Sequence, residues 1–228
     1  MTGKQLRLGR KNKGWTQQKA GVKLGVSQPY LALMEQGARR VPAPLARKAA
    51  SLYGLSPAVL AVETDASTSR PANAQQLAQD LSRLGYPGFA YLKAKRSKNP
   101  AEVLFAALRL DNLDSRLTEA LPWVLVHYPD LDWDWLVPVA KHHDLQNRLG
   151  FLTSLARKLA ERERNPNCQL LAAHESALER GRLAKEDTLC HDSLSDAEKR
   201  WVREKRSEEA RHWNLLTDLS PEHLRYAI

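Results

Sequence analysis

Three stretches of this 228-residue chain bring together side chains that bind or react in other contexts. Asp132 and Asp134 precede a helical pattern that ends in His142 and His143, two carboxylates and two imidazoles of the kinds that ligate a divalent metal. Asp-X-Asp ahead of a helix more often caps it, and adjacent histidines leave a helix in different directions, so no metal site is read here. Cys190-His191-Asp192 has the residue types of an activated thiol. Nothing around it supplies an oxyanion turn, and a cysteine beside a histidine in sequence rarely meets it in space. No Gly-rich phosphate loop occurs either. No catalytic residue or cofactor is assigned, and the chain is not expected to be an enzyme. The third stretch, residues 15–37, reads WTQQKAGVKLGVSQPYLALMEQG. Its chemistry is that of recognition: Ser27, Gln28 and Tyr30 carry hydrogen-bonding groups, and Pro29 and Leu33 offer apolar contacts.

The elements that must position these groups follow from caps and periodicity. Leu6 and Leu8, with polar and basic residues up to Lys13, predict a first helix ended by Gly14. Thr16 caps a second helix, Gln17 to Leu24, and Gly25 supplies the positive φ of a tight turn. Ser27 caps a third, with Pro29 in its first turn where a missing N–H does no harm, and Gly37 ends it. Pro44 to Tyr53 and Ser56 to Val62 predict a fourth and a fifth. Gly21 stands where two closely crossing helices need a small residue. Ala20, Leu24, Val26, Leu31 and Met34 then face inward, and Gln17, Gln28, Pro29, Tyr30 and Leu33 outward. Such a pair can enter a major groove with its second helix N-terminus first, so that Ser, Gln and Tyr side chains reach base edges and Pro or Leu meets a thymine methyl. The start of the second helix, at Gln17, suits a phosphate.

Charge points the same way. The first 61 residues hold eleven bases against one acid, Glu35, whereas the other 167 hold 24 bases and 25 acids. The whole excess behind the formal +9 therefore lies in the first quarter, as in a small module that meets a polyanion. Lys4, Lys11, Lys13, Arg39 and Arg40 are expected on backbone phosphates, which position a protein without reading sequence.

The segment from Leu6 to Leu60 resembles the λ-repressor-like, XRE/Cro family of DNA-binding domains. The resemblance rests on the run T-Q-x-x-A-G-x-x-L-G-V-S-Q from Thr16 to Gln28 and the E-x-G of Glu35 to Gly37. It implies an internal brace between Arg10 and Glu35, and DNA contacts from Gln17, Gln28, Pro29 and Leu33. Ala32 and Leu33 are apolar where many relatives place polar readers, so part of the readout is expected from DNA shape. Useful specificity from one small module implies a homodimer on a double-stranded operator.

The expected organisation is all-α: a five-helix domain over residues 1–62, a linker over 63–73 and a larger helical domain over 74–228 for dimerisation or partner binding. In the last, helices are predicted at Ala74 to Leu84, Pro100 to Leu110, Arg116 to Tyr128, Trp133 to His143, Asp144 to Arg162, Gln169 to Lys185 and Asp196 to Leu216. Trp123, Trp133 and Trp135 read as core or interface anchors, and Gln146, Asn147 and Arg148 as polar contacts to a partner or neighbouring helix. Lys93, Lys95, Arg96 and Lys98 form a basic loop, solvated or phosphate-contacting. With no alternating strands, a self-cleaving repressor is not expected. No membrane-length apolar run or signal peptide is seen, and Cys168 and Cys190 make no disulfide framework, so a cytoplasmic protein is expected. The architecture is similar to that of antitoxins in bacterial toxin–antitoxin operons, implying an autorepressor whose rear domain grips a toxin; the alternative is a ligand-responsive or dimerising repressor without one.

Overall fold

The computed structural model describes residues 1–62, 73–92 and 97–224. Most of the expected linker and the basic residues Lys93, Lys95 and Arg96 lie outside them. The chain divides into two compact units, residues 1–63 with 97–99, and residues 64–96 with 100–228.

In the first unit, helix α1 (Gly3–Asn12) opens with a capping box: the Gln5 amide donates to the Thr2 hydroxyl at 3.2 Å, and the Thr2 amide to Gln5 Oε1 at 2.7 Å. Leu6 is fully buried, but Leu8 is 59% exposed, so only one of the two leucines drives α1 onto the core. Helices α2 (Gln17–Leu24) and α3 (Gln28–Glu35) begin on Thr16 and Ser27, whose hydroxyls accept the Lys19 and Tyr30 amides. Gly25 between them has φ 79°, the left-handed turn that a Cβ would strain. The pair crosses closely at Gly21, where a Cβ would lie 2.7 Å from the Val26 carbonyl oxygen. Helix α4 (Ala43–Tyr53) completes the core of Leu6, Ala20, Leu24, Leu31, Met34, Ala49 and Tyr53. The expected fifth helix is a single three-residue 3-10 turn, Pro57–Val59. Leu60 leaves it extended (φ −68°, ψ 139°) and packs with Ala46 and Ala50, which fills that groove without further helix.

The second unit is also helical: α5 (Ala74–Leu84), α6 (Pro100–Leu108), α7 (Ser115–His127), α8 (Trp133–His142), α9 (Gln146–Arg162), α10 (Cys168–Glu179), α11 (Asp196–Lys205) and α12 (Glu208–His212). Helix α9 is its axis, packed between α7 and α10, with Leu149, Leu152, Leu155 and Leu159 at 0–1% exposure. It starts two residues later than predicted because Asp144 takes a left-handed φ of 57°. The helix predicted over 196–216 is broken at Arg206, whose ψ of 145° leaves the helical region before Ser207 caps α12. Two-residue strands β1 (Asp187–Thr188) and β2 (Leu215–Leu216) pair in parallel, too short to leave a period in sequence.

Gln146, Asn147 and Arg148 are buried rather than presented to a partner. They hold the segment that follows α10. The Gln146 side chain donates to the Gly181 carbonyl, and Asn147 exchanges two bonds with Leu183 at 2.8 and 2.9 Å. Arg148 donates to Asp187 at 2.7 and 3.0 Å, to Asp192 at 3.3 Å and to the Leu108 carbonyl at 2.9 Å. Burial opposes the Arg148 charge, but the Asp187 hydrogen bonds and the nearby carboxylates outweigh it and raise its pKa. On the next turns, Trp213 lies flat on Gly150, where a Cβ would meet the indole at 2.3 Å, and donates to Ser154 Oγ at 2.8 Å. Trp123 and Trp133 are core residues of this unit, and Trp135 is half-buried at the edge of that core, its ring 5.5 Å from that of Phe105.

Candidate nucleic-acid interface

Helix α3 presents Gln28 and Pro29 to solvent at its N-terminal turn, with Leu33, 40% exposed, one turn on. Ser27 is exposed too, though its hydroxyl is engaged as the cap. Tyr30, expected to point outward, is half-buried against the core cluster, so its ring supports α3 as much as it faces out.

Behind this surface lies a connected polar chain. Arg10 and Glu35 form a two-pronged ion pair, Nε to Oε1 at 2.6 Å and Nη2 to Oε2 at 2.8 Å, with side chains 10% and 2% exposed. The third arm of the guanidinium donates to the Trp15 carbonyl at 2.8 Å, pinning the α1–α2 loop. Gln17 then donates to Glu35 Oε2 at 3.0 Å and accepts from Gln28 Nε2 at 3.1 Å. Burial pushes the Glu35 carboxyl upward. Hydrogen bonds from Arg10 and Gln17, with the charges of Arg10 and Arg7, overcome that and hold it below the ordinary carboxylate range. Glu35 is therefore an anion at neutral pH, which fixes the acceptor end of the chain, and the chain fixes the rotamer of Gln28.

An amide has two N–H donors and an oxygen acceptor. With one Gln28 N–H given to Gln17, a second N–H and the oxygen remain on the exposed side. That donor–acceptor pair is the complement of the adenine N7 and N6 edge in a major groove. Gln17 itself is half-buried and acts as the link between reader and brace.

The cations expected on phosphates lie at helix ends of the same unit. Lys11 sits in the last turn of α1 and Lys13 at its C-cap; Arg39 and Arg40 follow α3, and all four are exposed. Lys48 is placed differently, donating to the Leu24 carbonyl at 2.9 Å and closing the end of α2. Lys19 and Lys23 lie over the Trp15 ring at 5.8 and 5.2 Å, an arrangement that sequence spacing did not suggest. The Gln17–Glu35 bond was likewise not anticipated, since 18 residues separate the partners and no local motif joins them.

The other sequence-predicted groups do not converge. Asp132 caps α8 by accepting the Trp135 amide at 3.2 Å, Asp134 is exposed, and the His142 and His143 rings stand at 85° to each other. Cys190 is fully buried, its sulfur against the Ala107 carbonyl at 3.5 Å, whereas His191 is exposed. Burial, partly countered by the Arg148 charge, pushes the Cys190 thiol up to about 12. A protonated, enclosed thiol is no nucleophile.

Residues 3–62 match the sequence pattern of a family described as a helix-turn-helix domain. No curated protein and no solved structure matches the chain. The N-terminal unit is thus a helix-turn-helix domain, and a helical region follows it. Among the described residues, no helix is long and apolar enough to cross a membrane.

Proposed function

We propose that the chain is a sequence-specific repressor that binds a two-fold operator as a homodimer, with α3 in the major groove. The observation that carries this reading is the Gln28 amide, exposed and oriented through Gln17 by a buried ion pair. Preorganisation of this kind lowers the ordering cost of a base contact. Pro29 and Leu33 flank it as apolar contacts for thymine methyls, and Lys11, Lys13, Arg39 and Arg40 serve the phosphates on either side.

For the rear unit, the toxin-gripping role draws on architecture alone. The ligand-responsive alternative has a specific observation in its favour, a cleft of about 470 Å³ between α7, α11 and β2, inside the range of about 300–1,000 Å³ typical of small-molecule sites.

The DNA reading is tested by selecting a preferred duplex from a random pool and measuring affinity by fluorescence anisotropy across a salt series. Gln28→Ala should weaken the selected duplex about tenfold, within the roughly 1–3 kcal/mol of a bidentate contact, and leave scrambled DNA nearly unchanged. Replacing Arg39 and Arg40 with alanine should weaken both and flatten the salt dependence by about 0.9 in log–log slope for each phosphate no longer neutralised. Equal losses on both duplexes for Gln28→Ala would contradict the assignment.

A further inference from the structure

We infer that the rear cleft is a binding site for a small organic cation with an apolar body. The inference rests on the ligand-responsive reading and names the chemistry of its ligand. The floor is apolar and buried: Leu113, Leu189, Val202 and Leu216 are each 4–7% exposed. Trp201 lines the cleft from α11 and is 50% exposed, an unusual position for the largest apolar side chain in a chain with only six tryptophans.

The ionisable lining is mostly acidic. Asp114, Glu198 and Asp218 line the cleft with one imidazole, the exposed His191, and among the described residues neither lysine nor arginine does. Two of these carboxylates are held in place. Asp114 accepts the Leu117 amide through Oδ1 at 2.9 Å, and Glu198 accepts the Ser195 hydroxyl and amide through Oε2 at 2.7 and 2.8 Å. Each keeps its other oxygen for a further donor. An aromatic face beside fixed carboxylates is the arrangement that attracts an alkylammonium group. The Trp201 ring already shows this affinity within the chain, since the Lys205 ammonium rests 4.4 Å from its centroid although Lys205 does not line the cleft. The three carboxylates are exposed at the rim, so an anionic ligand would meet their repulsion and a neutral one would gain nothing from their charge. A flat protein surface is poorly matched to a recess of this volume, whereas a phenylalkylammonium ion fits within it with its ring on the apolar floor.

The test is calorimetric titration of the full chain, without DNA, with phenylpropyltrimethylammonium, phenylbutanol and phenylbutyrate. The ammonium ion should bind saturably and about tenfold more tightly than the alcohol or the carboxylate. Trp201→Ala should weaken it about tenfold and Trp201→Phe less. The pair Glu198→Gln and Asp218→Asn, which leaves the floor intact and keeps an amide in the Ser195 capping box, should remove the preference for the cation while the alcohol still binds. Alcohol or carboxylate binding as tightly as the ammonium ion would overturn the cation assignment and leave a ligand site of another class. Heat from none of the three would overturn the ligand-responsive reading as well.

Discussion

Replacing Arg10 with methionine isolates the brace beneath the reading surface. The substitution keeps an apolar stem of similar length but leaves Glu35, whose side chain is 2% exposed, without its cation. Removing one partner of a buried, hydrogen-bonded pair costs about 3–5 kcal/mol, because the remaining charge is stranded out of water. A module of this size holds roughly 0.05–0.15 kcal/mol per residue, so for 62 residues the whole reserve is about 3–9 kcal/mol. Arg10→Met should therefore consume about a third of it or more. Amide hydrogen exchange read by mass spectrometry on the full chain separates the two units. Peptides from α1 to α4 should exchange about 10² to 4 × 10³ times faster, at a factor of ten for each 1.4 kcal/mol, while those from α7 to α10 stay unchanged. Adding Glu35→Leu should restore most of the protection, since an apolar pair of similar volume is often as stable as the ion pair it replaces. DNA affinity should not return with it, because Gln17 then has no acceptor to orient it toward Gln28. The pH dependence has a defined sign. The folded-state pKa of Glu35 is depressed, so its contribution is complete above the ordinary carboxylate value of 4.5 and is lost as pH falls through the lower, folded value. Wild-type protection should fall there and that of the double variant should not. A loss below about 1 kcal/mol in Arg10→Met, or a double variant no more protected than the single, would refute the brace as the source of this rigidity.

Gly21→Ala should destabilise the first unit by about 1–3 kcal/mol in urea unfolding, since its Cβ would lie 2.7 Å from a backbone oxygen that cannot turn away; an unchanged midpoint would show that α2 and α3 can separate freely. Cys190 should resist iodoacetamide at pH 8 until the second unit unfolds, because its thiol is enclosed and held to about 12; stoichiometric labelling of the folded chain, mapped by peptide mass, would contradict its burial.

Where an element's cause was local, its signal stood in the sequence. Thr16, Ser27 and Gly25 each act within three residues, and α2 and α3 lie where those signals put them. The leucine stripe of α9 was equally readable, because burial on one face of a helix repeats at its own period. Ser56 and Pro57 also signalled a helix start, but the run Ala58 to Val62 has no polar face, and burial of Leu60 was better served by extended backbone. The break at Arg206 was hidden by apolar residues whose spacing continues across it. In the site, cations and caps could be placed from sequence, whereas the Gln28–Gln17–Glu35 chain could not. Its links span 11 and 18 residues and exist only once α1, α2 and α3 have packed. Tyr30 departs from its expected outward position for a related reason: most of its surface is covered by neighbours that a helical projection of α3 does not contain.

The guanidinium of Arg148 sets an order on biosynthesis. Its carboxylate partners, Asp187 and Asp192, are translated 39 and 44 residues after it. While those codons are still being read, the cation has the Leu108 carbonyl but neither carboxylate to balance its charge, which opposes seating of the first turn of α9. The rear unit therefore matures late and all at once instead of growing helix by helix from the ribosome. A message truncated ahead of codon 187 would release a chain whose axial helix carries a stranded charge at the level of its own hydrophobic stripe, and cellular proteolysis would be its natural fate.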